Sequence, residues 1–377
     1  MTSCLWLVCT LFAIFGSAYA VLASLLVTRF ARQPKPVSAA AEGVTLLKPL
    51  YGAEPGLATS LWTFCTQDYG GKMQVVFGVQ DPSDPAIRIV GALQKQYPAA
   101  DLELVTGRRP TGGNPKIANV ISMFPAAKHD ILILSDSDMR VSADYVARVV
   151  ALLQKEGTAL ITCLYRGCAL SGFWSRMAAA AVDHHFLPNV LVGTWLGLAQ
   201  PCFGSTIALR RKTLEAIGGF GAYANTLADD YAMGEAVRRK GLRVEIAPFT
   251  IGHTFSEGSF GELWAHELRW AKTIRLVDPG GYLGSIATHP LPFALAALPL
   301  SGFSAIAWMI LIVTLACRLF IPIQVEKLSG GGKSTIWLSP LRDLLSFAIF
   351  IASFMPGTVS WRGRHYSVGP DGTVTPI

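Results

Sequence analysis

Charge is what this chain has little of. Asp, Glu, Lys and Arg make up 15% of its 377 residues, against 51% apolar. A soluble domain carries about 25% charged residues, so part of the chain is expected in lipid. Cysteine pairing is also missing. Cys4, Cys9, Cys65, Cys163, Cys168, Cys202 and Cys317 include no Cys-x-x-Cys, and no two histidines stand at zinc spacing. That excludes a dithiol motif and a structural zinc site, and leaves small apolar thiols in a reducing compartment. No Lys/Arg run is interleaved with aromatics, so the net charge of +7 is not the footprint of a nucleic-acid binder. It suits cytoplasmic anchoring, anionic headgroups or a phosphorylated substrate instead. No internal repeat is visible, and the length allows one large domain or two ordinary ones.

What is present begins with membrane segments. Cys4 to Val27 is uncharged and long enough to cross a bilayer, and Arg29, Arg32 and Lys35 follow it at once. No basic region precedes it, so an uncleaved anchor over residues 1–30 is expected, although Ala18-Tyr19-Ala20 is loosely cleavage-like. The positive-inside rule puts residue 29 onward in the cytoplasm. Further greasy stretches run from Leu291 to Leu315, where Pro292 and Pro299 interrupt the start and suit a re-entrant or interfacial piece, and from Leu344 to Trp361, within a membrane region over 286–361, and Arg342 and Asp343 are placed to pair with each other. Arg362, Arg364 and His365 suit a cytoplasmic tail over 362–377. The expectation is a multi-pass, three-span topology with the loop 318–337 outside, against the preference of Arg318, Lys327 and Lys333. Gly330 to Thr335 has a phosphate-loop look but lacks the leading Gly and the preceding strand, and reads as a connector.

Residues 42–280 are mixed in character. Thr45–Leu50, Val75–Val79, Leu102–Val105 and Ile131–Leu134 are short aliphatic runs, and Pro85–Gln96, Pro115–Phe124 and Ala143–Lys155 are plausible helices around them. Strand alternating with helix implies a mostly parallel sheet covered on both faces. Ligands bind such sheets at the carboxyl ends of the strands. Asp81 follows one run and Asp136 another, so both carboxylates point to one sheet edge.

Asp136-Ser137-Asp138 can present two carboxylates to one hard cation, and Mg²⁺ sites often combine carboxylates with substrate phosphates. Asp81, in Asp-Pro-Ser-Asp-Pro, is equally good turn chemistry. Lys116 is a surface lysine or a phosphate contact at a helix start. Asp229-Asp230 caps a helix or supplies a general base. His266-Glu267-Leu268-Arg269-Trp270 starts like a zinc-protease helix, but Trp270 replaces the second ligand. Lys272 shares helix faces with Arg269 and with Arg275, a basic surface for a diphosphate or a row of snorkelling cations. His184-His185 has no third ligand nearby and reads as structural or acceptor-lining.

Taken in order, Val79-Gln80-Asp81, Asp136-Ser137-Asp138, Asp229-Asp230-Tyr231 and His266-x-x-Arg269-Trp270 resemble the motifs of inverting glycosyltransferases of family 2 and of the ceramide-glucosyltransferase family 21, over residues 40–280 and the flanking membrane segments. The segments Gly197–Thr206, Leu227–Tyr231 and His266–Arg275 are similar to bacterial hopanoid-biosynthesis glycosyltransferases. The resemblance implies a GT-A fold (a Rossmann-like, mostly parallel sheet with helices on both faces) plus transmembrane helices. It implies Asp81 on uracil, Lys116 near the nucleotide, Asp136 on the nucleotide and Asp138 on Mg²⁺ or Mn²⁺. It also implies Asp230 as base beside Asp229, with Arg269 and Trp270 over the diphosphate and the acceptor entrance. His266 departs from the Gln or Arg of the family pattern.

The activity expected from the resemblance is transfer of N-acetylglucosamine from its UDP donor to bacteriohopanetetrol, at the cytoplasmic face of a bacterial inner membrane. Ceramide glucosylation from UDP-glucose is the nearest alternative. Polysaccharide synthesis is disfavoured by the few spans, and a non-catalytic scaffold whose acidic residues only cap helices is the reading from another class.

Overall fold

The structure, a computed structural model, describes residues 2–34, 36, 41–107, 112–328 and 335–355, together with the backbone of 359–361, 364–368 and 374–376. The connector 330–334, Lys35, Lys333, Arg362 and the side chains of Arg364 and His365 lie outside the described residues. The chain forms two compact units, Met1–Gln33 with Ser171–Gln200 and Ser256–Trp361, and Pro34–Leu170 with Pro201–Phe255 and Arg362–Ile377. Segments 171–200 and 256–280, placed by sequence inside the globular stretch, thus belong to the unit that carries the long apolar helices.

The second unit is built on one sheet. Its strands are β1 (Val44–Leu50), β2 (Met73–Val79), β3 (Asp101–Thr106), β4 (Ile131–Leu134), β5 (Met139–Arg140), β6 (Thr158–Ala169), β7 (Ile207–Arg210) and β8 (Arg243–Phe255). They lie in the order β3-β2-β1-β4-β7-β6-β8-β5. Only β7 and β5 run against the rest. Every residue of β1 and β4 is buried, as strands covered on both faces require. The helices Ala86–Gln96, Pro115–Met123 and Tyr145–Leu153 fall where expected, the first two one residue shorter and the third two residues shorter at each end. Leu47, Val76, Leu132 and Leu134 pack with Ile117, Val120, Met233 and Val237 from the helices Pro115–Met123 and Asp229–Arg239. Burying each such side chain contributes about 1.5–3 kcal/mol. Parallel register pairs Leu50 with Val79 and Leu47 with Leu134, so β2 and β4 deliver their carboxyl ends to one edge.

In the first unit two helices are long and apolar enough to cross a membrane, Ser3–Ala31 and Ala305–Glu326, and a bent pair, Pro279–Thr288 with Pro290–Leu300, passes the same test jointly. The expected span Leu291–Leu315 is not one helix. The chain turns between Leu300 and Ala305, with Gly302 and Phe303 both at positive φ. Leu344–Trp361 is not continuous either. Its helix, Ser339–Ala352, has 14 residues, about 21 Å at 1.5 Å per residue, against a hydrocarbon core of about 30 Å. Arg318, expected in an external loop, lies inside the Ala305–Glu326 helix and is 2% exposed.

Arg342 and Asp343 do not pair with each other. Asp343 accepts from Arg318 Nε at 2.7 Å and lies 2.8 Å from His185 Nε2, while Arg342 donates to both oxygens of Glu267. Adjacent helix residues point about 100° apart at 3.6 residues per turn, so each finds a different neighbour. Both histidines have partners within this unit, His185 on Asp343 and His184 on Thr335 at 3.2 Å. The Leu187–Trp195 helix packs Leu187 and Val192 against Ala20, Ala23 and Val27 of the first helix, which is why this segment leaves the globular unit.

Candidate active site

The turn after β4 carries the centre of the site. Asp136 N–H donates to Gly204 O at 3.1 Å, and Gly204 N–H donates to Asp230 Oδ2 at 2.7 Å. One glycine peptide therefore ties the end of β4 to the start of the Asp229–Arg239 helix. A Cβ on Gly204 would stand 2.6 Å from Asp136 Oδ2 and 2.8 Å from Lys116 Nζ, so a side chain there would displace the Asp136 carboxylate and the Lys116 ammonium. The sequence offered Gly204 only as part of a resembling segment; its role becomes visible once the turn is folded.

Lys116 arrives on the first turn of its helix because Asn114 caps that helix, accepting from Ile117 N at 3.0 Å, with Pro115 in the first position. Its Nζ lies 2.9 Å from Asp136 Oδ1 and 3.2 Å from Asp229 Oδ2. Asn114 Nδ2 also donates to Asp229 Oδ1 at 3.1 Å. Loss of water pulls the Lys116 pKa down, but Asp136, Asp229 and Asp230 outweigh it and hold the ammonium charged. Asp230, by contrast, is pushed up to about 6, by desolvation first and by Asp229 next. The two members of the pair thus have different chemistry: Asp229 is tied to Asn114 and Lys116, and Asp230 is a carboxylate with an affinity for protons.

Asp138 stands on the other side of the turn. Thr254 N–H and Oγ1 both donate to its carbonyl at 2.9 Å, and His253 Nε2 lies 2.9 Å from its Oδ2. Desolvation would raise the Asp138 carboxyl, but His253 and, further off, Lys48 overcome it and hold it at about 2. Its Oδ1 is buried and has no hydrogen-bond partner among the described residues. His253 was missed from sequence because a lone histidine in a long strand carries no spacing signal; β8 brings it to the turn by pairing with β5, where His253 faces Met139.

Lys48 was missed as well. It lies within β1 and is fully buried, its ammonium 3.7 Å from the centre of the Phe64 ring. It donates to Ser135 Oγ at 3.2 Å and to the Asp136 carbonyl. Burial pushes its pKa down to about 7, opposed by Asp136 and Asp138.

Asp81 shares the sheet edge, two strands away from β4, but its carboxylate closes its own turn. Oδ1 accepts from Ser83 N at 2.8 Å and from Ser83 Oγ at 2.7 Å, which holds the carboxyl below its usual range.

In the first unit, the helix Phe260–Val277 carries His266, Arg269, Trp270 and Arg275. Ser259 caps it, accepting from Glu262 N, and Glu262 reaches back to Gly258 N. His266 Nδ1 lies 2.7 Å from Glu257 Oε1, and its ring meets Trp270 edge to face at 4.6 Å. The Arg275 guanidinium lies 5.3 Å from the centre of the Phe354 ring.

A mixed sheet of this order, with clustered carboxylates at the strand ends, defines a GT-A-type, sugar-nucleotide-dependent glycosyltransferase. The sequence profile of Glycosyl transferase family 21 spans residues 8–374, and the chain belongs to that family. It is 24% identical over 348 residues to ceramide glucosyltransferase 3 of Caenorhabditis elegans, covering 89% of this chain and 74% of that protein. It is 34% identical over 123 residues to a ceramide glucosyltransferase of Candida albicans, covering 30% of this chain and 23% of that one. Among solved structures, a mannosyltransferase from Pyrobaculum calidifontis in complex with GDP-Man and Mn²⁺ shares the fold. The TM-score is 0.54 at 19% identity, covering 92% of this chain and 97% of that one.

Proposed function

We propose that this enzyme transfers a sugar from a UDP-sugar to a hydroxyl of a membrane lipid with inversion at the anomeric carbon. The observation that carries the reading is the division of labour between Asp229 and Asp230 across the Gly204 peptide. Asp230 is the base. A carboxylate with a pKa near 6 is ionised at neutral pH yet basic enough to accept a proton as a hydroxyl attacks. The acceptor oxygen forms its bond to the anomeric carbon, its proton passes to Asp230, and the bond to the diphosphate oxygen breaks with its electron pair leaving on UDP. Lys116 supplies a fixed positive charge beside Asp136 for the nucleotide's phosphates.

A divalent cation fits beside Asp138. No three His, Cys, Asp or Glu side chains converge as a ready cage among the described residues. The buried, unpartnered Asp138 Oδ1 and the adjoining His253 suit an ion that takes its remaining ligands from diphosphate and water. When bound, Mg²⁺ or Mn²⁺ would neutralise the leaving diphosphate. Asp81 keeps the uracil role that the resemblance implies.

The acceptor we favour is bacteriohopanetetrol with N-acetylglucosamine as the sugar, on the likeness of Gly197–Thr206, Leu227–Tyr231 and His266–Arg275. The names of the curated relatives favour a second reading, ceramide with glucose. Purified enzyme in mixed micelles, offered each UDP-sugar with each lipid, tests both. Transfer to bacteriohopanetetrol from UDP-N-acetylglucosamine supports the first, and transfer to ceramide from UDP-glucose the second. Binding of UDP and Mn²⁺ without transfer to either lipid would refute the lipid reading. The two long apolar helices suit a multi-pass protein of a bacterial inner membrane, with the sheet unit in the cytoplasm.

A further inference from the structure

Lys48 interrupts the otherwise uncharged β1 and is fully buried, in a strand where Leu46, Leu47 and Leu50 are buried too. An aliphatic side chain is the ordinary occupant of a strand covered on both faces. Taking an ammonium out of water is costly, and an apolar side chain of similar volume in its place is often neutral or stabilising. Neither hydrogen-bonded partner of Lys48 is a carboxylate. Its Nζ donates to Ser135 Oγ at 3.2 Å and to the Asp136 carbonyl, and it lies 3.7 Å from the centre of the Phe64 ring. Stability of the strand therefore does not account for a lysine at this position.

The strand register shows what the lysine holds. Leu47 pairs with Leu134, the last residue of β4, and Ser135 N–H donates to Leu47 O at 3.2 Å. Lys48 thus lies level with the start of the turn that carries Asp136 and Asp138. It grips the Asp136 carbonyl, while Thr254 N–H and Oγ1 grip the Asp138 carbonyl, so the turn is fixed on both sides of Ser137. Asp136 alone is held at three points by three parts of the chain: its N–H by Gly204 O, its carbonyl by Lys48 and its carboxylate by Lys116. Bonds to the carbonyls fix the peptide planes, and the planes fix the directions in which the two carboxylates leave the backbone.

We propose that Lys48 is a positioning residue: by holding the Asp136 carbonyl from inside the sheet, it aims the carboxylates of the turn at the nucleotide and its cation before either arrives. The proposal rests on the nucleotide-binding reading of this turn given above, and adds a residue that acts on the ligands only through the turn. It also explains a buried lysine in a strand that packing alone would fill with leucine.

The test uses the full chain in detergent micelles, with UDP and Mn²⁺ as probes and calorimetric titration as the readout, so that binding is measured without turnover. Lys48→Met keeps the length and the apolar stem of the side chain and removes its donors. It should raise the UDP Kd at saturating Mn²⁺ by about 10–100-fold, the usual cost of losing a group that orients a ligating side chain. In a turnover assay the UDP-sugar KM should rise with it, and the acceptor KM should not move. Ser135→Ala, which leaves the bond to the Asp136 carbonyl in place, should bind UDP like the wild type. A Lys48→Met enzyme with the wild-type UDP Kd, whatever its thermal unfolding, would assign Lys48 to the fold and overturn the proposal. So would a Ser135→Ala enzyme as weak as Lys48→Met, because the hold on Asp136 would then not be what matters. Should Lys48→Met fail to fold, Lys48→Gln takes its place: its amide is one bond shorter and stops short of the turn, so a wild-type UDP Kd there also overturns the proposal. A wild type that binds no UDP with Mn²⁺ would remove the parent reading, whereas a wild type that binds UDP no better than Lys48→Met removes only this one.

Discussion

His253 Nε2 lies 2.9 Å from Asp138 Oδ2, and the other oxygen of that carboxylate is buried without a hydrogen-bond partner among the described residues. A side chain held on one oxygen and open on the other is preorganised for a cation. Removing an orienting or ligating neighbour of this kind typically costs 10–100-fold in metal affinity or activity. His253→Ala should therefore raise the Mn²⁺ concentration needed for half-maximal activity by about that factor, and Asp138→Asn should nearly abolish activity at any concentration. Titration of activity with Mn²⁺ checks both. A His253→Ala enzyme with the wild-type Mn²⁺ requirement would remove His253 from the site.

Asp230 gives a pH prediction whose sign is fixed. Its carboxyl is raised to about 6, so the base is ionised above that pH and lost by protonation below it. The acid limb of kcat/KM should bend near pH 6 for the free enzyme. Asp230→Asn should lower kcat by roughly 10²–10⁴-fold, in the range of general-base contributions. Asp229→Asn should act chiefly on nucleotide affinity through Lys116. Equal kcat losses with unchanged UDP affinity for the two variants would contradict the division between them.

The strands β1 to β4 and their helices were legible in the sequence because short aliphatic runs bounded by Gly, Pro and Asp have few other ways to fold. Asp136, Asp138, Asp229 and Asp230 were legible for a related reason, since carboxylates directly after a strand or at a helix start have known positions. Lys48 and His253 were not legible. A lysine inside a buried strand looks like an error of pattern until the Asp136 carbonyl and Ser135 appear beside it. The coming together of β5 and β8 depends on a long crossover with no local signal. The span boundaries failed at Gly302-Phe303, where hydropathy runs on but the backbone turns.

Gly204 offers a steric test of the centre of the site. A methyl there would press on Asp136 Oδ2 at 2.6 Å and Lys116 Nζ at 2.8 Å, well inside contact distance. The Asp136 carboxylate and the Lys116 ammonium would have to shift, and misplacement of about 1 Å can cost 10²-fold in rate. Gly204→Ala should lose activity on that scale while its thermal unfolding changes little, because the site edge, not the core, absorbs the displacement. Activity assays beside calorimetry separate the two. A fully active Gly204→Ala would show that the turn tolerates a side chain.

Lys116 is the cation two carboxylates share, and its removal has two consequences. Lys116→Met leaves Asp136 and Asp229 without their counter-charge, and breaking a buried pair by removing one partner costs about 3–5 kcal/mol. The Asp136 side chain is 34% exposed, so solvent screening lowers the cost on that side of the pair, while Asp229 is buried. The lost charge should also weaken UDP binding. Asp229→Asn in the same background relieves part of the repulsion, so the double variant should be more stable than Lys116→Met alone, whereas UDP affinity should stay low in both. Denaturation curves for the single and double variants, read against UDP titration, distinguish a stabilising contact from a phosphate-binding one. If stability recovers and UDP affinity recovers with it, Lys116 acts on the fold and not on the nucleotide.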